Sequence, residues 1–589
     1  MRVTKPGITA APEDTTIALG GQPVPARTGE SVAAALTAAG HYALRRTRRT
    51  GERGVFCGMG VCSECAVQID GDPGRLACME KVVPGLDIEP NPPARRLDAS
   101  SRVTVPADGP LEERLRTDVL VVGAGPAGLR AALAAAAAGA VTTVVDERSE
   151  AGGQYFKQPA GPLALALDER ELDPQYRAGR ELLREVRESG VQLLSSTRLW
   201  GGASPNELYA ASGERRYVLQ CAALVLATGA FERGVPFPGW TLPGVMTTGA
   251  AQTLLRSYLV AAGARVLVAG NGPLNFQVAA ELAAAGVKVV ALAEAAPLLR
   301  PANALHLARM AAAAPRSSTE GLSYLRALVQ ARVPVLPRSA VVEVEGAGRA
   351  EVATVARLGP GGRPVRRRLR RFEVDAVCLG LGFVPSSELA RALGCQHRLD
   401  ERTGALVVVR DRYGRTSVDG VWVVGDGGGI GGAQVAQAMG TLAGTDAARS
   451  VGRATDGDLV ERRHQAETLL DRSLRFQRSL WQLYACSPLV DQLATPDTVI
   501  CRCEEVTWAE LESAAEPWLA AAGSLKRATR AGMGKCQGRY CSAVLMALAA
   551  RQSGEPVGAY SGFVPQAPVA PARALVIAAP AGTGTAQRT

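Results

Sequence analysis

Cysteines carry the first chemical signal. Eight of the twelve fall in two tight sets. The stretch "FCGMGVCSECAVQIDGDPGRLACM" sets Cys57, Cys62, Cys65 and Cys78 at the spacing C-x4-C-x2-C-x12-C. "VICRCEEVTW" and "ATRAGMGKCQGRYCSAVL" set Cys501, Cys503, Cys536 and Cys541 at C-x-C-x32-C-x4-C. Thiolates are soft, anionic donors that suit iron, and the leading spacings of the first set are those that hold a [2Fe–2S] cluster. Gly58 and Gly60 let that loop curl and bring amides to the sulfurs, where hydrogen bonds tune potential. In the second set Gly532, Gly534 and Gly538 compact the loop. Arg502, Lys535 and Arg539 offset the charge of four thiolates there, which tends to raise the reduction potential. Structural zinc is the alternative occupant of each set. Cys221, Cys378, Cys395 and Cys486 are scattered. In a chain this long the pattern argues for metal ligation over a disulfide scaffold, and for a reducing, cytoplasmic setting.

Glycines carry the second signal. "DVLVVGAGPAGLRAALAAAAAGAVTTVVDE" places Gly123, Gly125 and Gly128 between an apolar strand and a helix. Gly123 permits the turn, Gly125 lets backbone approach a pyrophosphate, and Gly128 lets helix and strand pack closely. The helix N-terminus stabilises phosphate charge. Asp146, 23 residues after Gly123, ends the next strand, where it can accept from ribose hydroxyls. A second copy, "RVLVAGNGPLNFQVAAELAAAG", keeps Gly270 and Gly272 but holds Asn275 at the third-glycine position. Counting from Gly270 puts Ala293 at the place of Asp146. Glu294 serves only if the strand end shifts, and no arginine follows to receive a 2′-phosphate. This candidate second nucleotide site (Gly270, Gly272, Asn275, Glu294) is expected to keep some nucleotide or phosphate binding without productive hydride exchange with NAD(P)H. The unit has no CxxC pair, which argues against a dithiol mechanism.

These groups need several domains to position them, since 589 residues exceed one hydrophobic core. The expected fold is α/β multidomain: two dinucleotide-binding, Rossmann-like domains, an N-terminal β-grasp ferredoxin-like domain and a small helical [2Fe–2S] domain at the C-terminus. "DTTIALGGQPVPA" reads as a hairpin and "ESVAAALTAAG" as a short helix, within a unit over 12–95. A proline-rich linker covers 96–116. The first part of an FAD-binding domain follows at 117–255, a second dinucleotide-binding-like domain at 256–365, and the return of the first at 366–450. A helical connector (451–497), the second cysteine unit (498–550) and a Pro/Ala-rich, disordered tail (551–589) complete the order. The +10 charge is carried partly by local runs, "RRTRR" (45–49) and "RRRLRR" (366–371), with no nucleic-acid recognition module beside them. Those runs suit docking of a partner or of an anionic membrane face. "MRVTKPGITAAPED" lacks the apolar core of a secretory signal, and "AALAAAAAGA" is too short to span a membrane. Peripheral contact with the inner membrane face stays compatible.

Three further segments carry a resemblance. "EAGGQ" (Gly152, Gly153), "LVLATGA" (Thr228, Gly229) and "GVWVVGDGGGIGG" (Gly425, Asp426) resemble the recurring FAD motifs of two-dinucleotide-domain flavoproteins. By that resemblance FAD binds near 123–153, and Asp426 hydrogen-bonds near its ribityl and pyrophosphate region. Residues 12–95 resemble the plant-type ferredoxin-like domain at the front of larger oxidoreductases, and 498–550 the bacterioferritin-associated-ferredoxin-like [2Fe–2S] domain. Taken whole, the order resembles the large flavin and iron–sulfur subunit of opine oxidases and related amine dehydrogenases. Its relatives include proline and hydroxyproline dehydrogenases and hydrogen cyanide synthase. The resemblance implies a partner subunit of the glycine-oxidase-like class, with its own flavin, that oxidises the amine, and an external electron acceptor. A chain with one FAD and two clusters can split electron pairs into single electrons. None of the four histidines, His41, His306, His397 and His464, sits in a motif, so the catalytic residues are unassigned and an electron-handling role is favoured. The rival readings are a self-contained NAD(P)H-dependent iron–sulfur flavoprotein reductase and a non-enzymatic iron–sulfur scaffold or redox sensor.

Overall fold

The computed structural model describes residues 1–91, 111–298, 300–453, 457–516 and 521–577. The expected hairpin and helix are both present in the N-terminal unit. Strands Thr15–Leu19 and Gln22–Ala26 are joined by Gly20 and Gly21 at φ 57° and 77°, the paired left-handed turn that suits two-residue hairpins. Ser31 caps helix Val32–Ala38 by accepting from the Ala34 amide at 3.2 Å. The sheet runs Gln22–Ala26, Thr15–Leu19, Asp87–Pro90, Ala66–Ile69, Asp72–Leu76, with a parallel pair between its second and third strands. Ile17, Val24, Leu36 and Ile88 fill the space between helix and sheet.

Strand Glu112–Val122 begins inside the expected linker; residues 96–110 of that linker lie outside the described residues. Its inner part, Val119 to Val122, is a continuous apolar run because both faces of a parallel sheet are covered. Parallel neighbours Thr142–Val145 and Arg215–Leu226 flank it, and Val421–Val423 returns to pair with the latter. Helix Gly432–Ser450 packs on helix Pro126–Ala137. Gly440 and Gly444 face the Ala127 and Ala131 carbonyls so closely that no Cβ would fit.

The second parallel sheet runs Val245–Thr247, Ala376–Gly380, Arg265–Gly270, Lys288–Glu294, Val335–Pro337. Its first two members, Val245–Thr247 and Ala376–Gly380, lie beyond the expected span of 256–365, so this sheet reaches from 245 to 380. The boundary was hidden because an antiparallel sheet (Ser339–Glu345, Val352–Leu358, Pro364–Glu373) is inserted before the strand that closes the parallel one. The run at 366–371 lies on the outer strand of that insert, where exposed Arg367, Arg368, Arg370 and Arg371 oppose edge-to-edge pairing.

Helix Gly457–Leu483 leads to the C-terminal unit, a short hairpin (Val499–Cys501, Val506–Thr507) followed by helices Trp508–Ala514, Ala522–Thr529 and Ser542–Ser553. The expectation of a disordered tail fails over 551–577. Phe563 packs against Gly532 and Gly538, and the Val569 amide donates to the Trp200 carbonyl at 2.8 Å. Residues 578–589 lie outside the described residues. Among the described residues no helix is long and apolar enough to cross a membrane.

Candidate functional site

One cavity of about 1710 Å³ gathers the glycine-rich segments. Gly123, Gly125, Asp146, Gly153, Thr228, Gly229, Gly425 and Asp426 all line it, from four separated stretches of chain. Gly128 and Gly152 do not. Gly128 packs against the Gly123 carbonyl, where a side chain would collide, and the Gly152 amide donates to the Ala124 carbonyl at 2.8 Å. Helix Pro126–Ala137 has no side chain capping its N-terminus, so its first amides face the cavity without an acceptor from a cap. Asp146 accepts from the Ala124 and Arg148 amides at 2.5 and 2.8 Å. Asp426 accepts from the Gly431 and Gly432 amides at 2.8 and 3.0 Å. Burial pushes both carboxyls above the usual range. None of the four histidines lines the cavity.

The second fingerprint behaves differently. A bulge between Val266 and Leu267 in the pairing with Lys288–Glu294 shifts the strand end by one residue. Glu294, and not Ala293 as counting suggested, therefore occupies the place of Asp146. Its carboxylate accepts from the Gly272 and Ala296 amides at 3.1 and 2.8 Å and from Asn271 Nδ2 at 2.9 Å. Asp146 lines the cavity, whereas Glu294 is 0 % exposed and does not. Asn271 Nδ2 also donates to the Tyr484 carbonyl at 2.9 Å, which closes this end. Burial pushes Glu294 up to about 7. Asn275 knits the fold together, donating to the Gly380 carbonyl at 2.8 Å and accepting from Thr248 Oγ1 at 2.9 Å. Asn271 and Gly272 line the cavity, and Gly270 does not.

Cys57, Met59, Gly60 and Val61 form part of the same cavity wall. Gly58, at φ 61°, packs against Ala250 on helix Thr248–Tyr258, so the first cysteine loop rests on the nucleotide-binding core. Between them lie three polar side chains that no motif announced. Lys157 Nζ donates to Gln252 Oε1 at 2.8 Å, and Glu232 accepts from the Gly249 amide at 2.9 Å. Burial drives Lys157 down and Glu232 up, each to about 7. These three come from distant segments, so local spacing held no signal for them.

The eight cysteines are free, and they meet in pairs: Cys57 with Cys62, Cys65 with Cys78, Cys501 with Cys541, Cys503 with Cys536. Among the described residues no group of three or more His, Cys, Asp or Glu is arranged to hold a metal ion, and the cysteines come together only two by two. Two thiolate pairs per set suit a rhomb that takes two thiolates at each iron. Burial would push Cys57 up, yet hydrogen bonding from Cys62 and the Met59, Cys62 and Val61 amides draws it down to about 6. Hydrogen bonding from Cys541, against burial and with the Gly532 amide, draws Cys501 down to about 7. Charge fits too. Arg45, Arg53 and Arg502 all converge on the single carboxylate of Glu64, at 2.9, 3.4 and 3.2 Å. That leaves excess buried positive charge, which an anionic cluster offsets. The remaining cysteines are packing groups; burial alone pushes Cys221 up to about 12.

The two cysteine sets adjoin. Phe56, next to Cys57, meets Tyr540, next to Cys541, with ring centroids 5.2 Å apart. The 45–49 arginine run is engaged within the chain: Glu505 accepts from the Arg48, Arg49 and Thr50 amides at 3.0, 2.8 and 2.8 Å.

Comparison with known proteins agrees with this layout. The pyridine nucleotide-disulphide oxidoreductase family model matches residues 117–440 and a 2Fe-2S iron-sulfur cluster binding domain matches 13–93. The sarcosine oxidase A3 domain matches 496–581, which takes in the 498–550 unit read from sequence as bacterioferritin-associated-ferredoxin-like and most of the segment read as a tail. Hydrogen cyanide synthase subunit HcnB of Pseudomonas aeruginosa is 34% identical, over 72% of this chain and 90% of its own. An opine oxidase subunit of Rhizobium meliloti is 36% identical, over 74% and 92%. L-proline dehydrogenase from P. horikoshii, at 20% identity, shares the fold with a TM-score of 0.67 over 96% of this chain and 97% of that one. A family model spanning more than half of the chain, and relatives matched over most of their length, make it an oxidoreductase that belongs to the pyridine nucleotide-disulphide oxidoreductase family, related to opine oxidase and hydrogen cyanide synthase subunits.

Proposed function

We propose that this chain is the FAD- and iron–sulfur-containing electron-transfer subunit of a heteromeric amine or imino-acid dehydrogenase. Its substrate class is an opine, proline, hydroxyproline or another small amino acid. A glycine-oxidase-like flavin subunit oxidises the amine, and an external acceptor takes the electrons. The observation that carries the reading is the single cavity whose wall is made jointly by the FAD-type segments and the Cys57 loop.

The residues fit the groups. Gly123, Gly125, Asp146, Gly153, Thr228, Gly229, Gly425 and Asp426 would hold FAD, with Gly128 and Gly152 shaping the turns. Cys57, Cys62, Cys65 and Cys78 would hold one [2Fe–2S] cluster, and Cys501, Cys503, Cys536 and Cys541 a second. Bound FAD supplies two-electron chemistry and each cluster single-electron chemistry. The chain's own work is to bind and orient them, to exclude water by burying both cysteine loops, and to present Lys157 and Glu232 as proton-holding groups at the cavity wall.

The self-contained NAD(P)H reductase is disfavoured because Glu294 is fully buried and withdrawn from the cavity that Asp146 lines. Membership of an oxidoreductase family sets aside the non-enzymatic scaffold. Anaerobic stopped-flow with NADH and NADPH tests the choice. Slow or absent flavin bleaching, with rapid bleaching once the co-purified partner and its amine are added, is expected. Rapid bleaching by either nicotinamide alone overturns the proposal.

A further inference from the structure

Glu64 lies between Cys62 and Cys65, and Arg502 lies between Cys501 and Cys503. Arg502 Nη2 donates to Glu64 Oε2 at 3.2 Å, with side-chain exposures of 3% and 0%. One buried ion pair thus joins the two ligand loops directly. We propose that this pair is a shared electrostatic bridge that sets the reduction potentials of both clusters at once; the inference rests on the two-cluster reading above.

The surroundings lock the bridge in place. Arg502 Nη1 donates to the Trp240 carbonyl at 2.7 Å, and its guanidinium stacks 3.9 Å from the Phe56 ring centre and 4.6 Å from that of Trp240. Trp240 Nε1 in turn donates to the Val499 carbonyl at 2.6 Å, on the strand that carries Cys501. Arg45 donates to Glu64 at 2.9 Å and lies within electrostatic reach of both Cys62 and Cys503. The buried Tyr540 hydroxyl has no hydrogen-bond partner among the described residues and lies within electrostatic reach of Cys57, Cys62 and Cys536. Such contacts matter because Coulomb interactions between buried groups are weakly screened. Each reduction adds one negative charge, so a cation fixed against both loops favours the reduced state of both clusters. Removing it disfavours both.

The test uses full-length protein carrying its cofactors, titrated anaerobically with EPR and visible detection of each cluster. Arg502→Gln is expected to lower both potentials, each by at least a tenfold change in the reduced-to-oxidised ratio, about 59 mV for a one-electron couple. Glu64→Gln raises both. At each cluster the shift of the double variant is expected to depart from the sum of the two single shifts, the non-additivity that a direct interaction between the two side chains produces. Arg502→Lys, which keeps the charge, restores most of each potential, and Arg184→Gln on an exposed helix moves neither. Shifts confined to the cluster on the substituted loop, with four irons per chain, overturn the bridge and leave the two-cluster reading intact. Two irons per wild-type chain overturn both. If Arg502→Gln does not retain iron, Glu64→Gln read at the second cluster decides: no shift there overturns the bridge.

Discussion

Asp426 shows how one side chain of a glycine-rich segment serves both the cavity and its own loop. It is placed by a strand end, and it spends one oxygen on the Gly431 and Gly432 amides at 2.8 and 3.0 Å. Asp426→Ala releases those amides and removes a carboxylate from the cavity wall. Losing hydrogen bonds to a charged group costs about 1.5–3 kcal/mol, so flavin affinity is expected to fall by about tenfold or more, read as the flavin-to-protein absorbance ratio after gel filtration. Glu294 makes a pH prediction. Burial raises it from 4.5 in the unfolded chain to about 7. Its stabilising share is full below pH 4.5 and is lost as pH rises through 7, because the folded state binds the extra proton in that window. The loss is on the order of 3 kcal/mol. The melting temperature of Glu294→Gln is therefore expected to depend less on pH between 5 and 8 than that of the wild type.

At the scale of elements, small residues decide how closely the backbone layers approach. Gly444 lets helix Gly432–Ser450 lie against the Ala131 carbonyl of helix Pro126–Ala137. Gly444→Val forces the helices apart, an overpacking that costs about 1–3 kcal/mol. A lower melting temperature and earlier release of flavin fluorescence on heating are the expected readouts. The C-terminal segment acts on the second cysteine loop in a similar way. Phe563 covers Gly532 and Gly538, which bracket Cys536. Removing that partly buried ring uncovers the ligand loop, at a cost below the ~3–5 kcal/mol of a fully buried aromatic. Phe563→Ala is expected to lose iron from the second set first, seen as one EPR signal weakening while the other persists.

At the scale of the whole molecule, the chain folds its ends together. The N-terminal and C-terminal cysteine units dock on each other beside the nucleotide-binding core, and Glu505 is a main fastener: it accepts from three backbone amides and from Thr50 Oγ1 at 2.9 Å. Glu505→Ala is expected to raise hydrogen exchange at Arg48, Arg49 and Thr50 by about tenfold or more, from the loss of charge-assisted bonds, while exchange in strand Glu112–Val122 stays unchanged. The excess of arginine takes on a specific meaning here. In its first run Arg45 pairs with Glu64 and Arg49 with Glu510 inside the chain, and its second run lies on a sheet edge.

Local spacing was enough to single out the cysteine sets and the first fingerprint through Asp146 as candidate sites, and to place the hairpin and the helix beside it. In each, the functional groups lie within one turn, one strand or one loop, where short-range geometry dictates their relation. In the second fingerprint counting from Gly270 placed Ala293 at the position of Asp146 and left Glu294 to a shift of the strand end; the choice stayed open because counting along a strand cannot see a bulge that exists only when a neighbouring strand pairs. Lys157, Glu232 and Gln252, the Phe56–Tyr540 contact and the Glu64–Arg502 pair were invisible for the same reason. They join residues far apart in the chain, and only the packing of one domain against another brings them into contact.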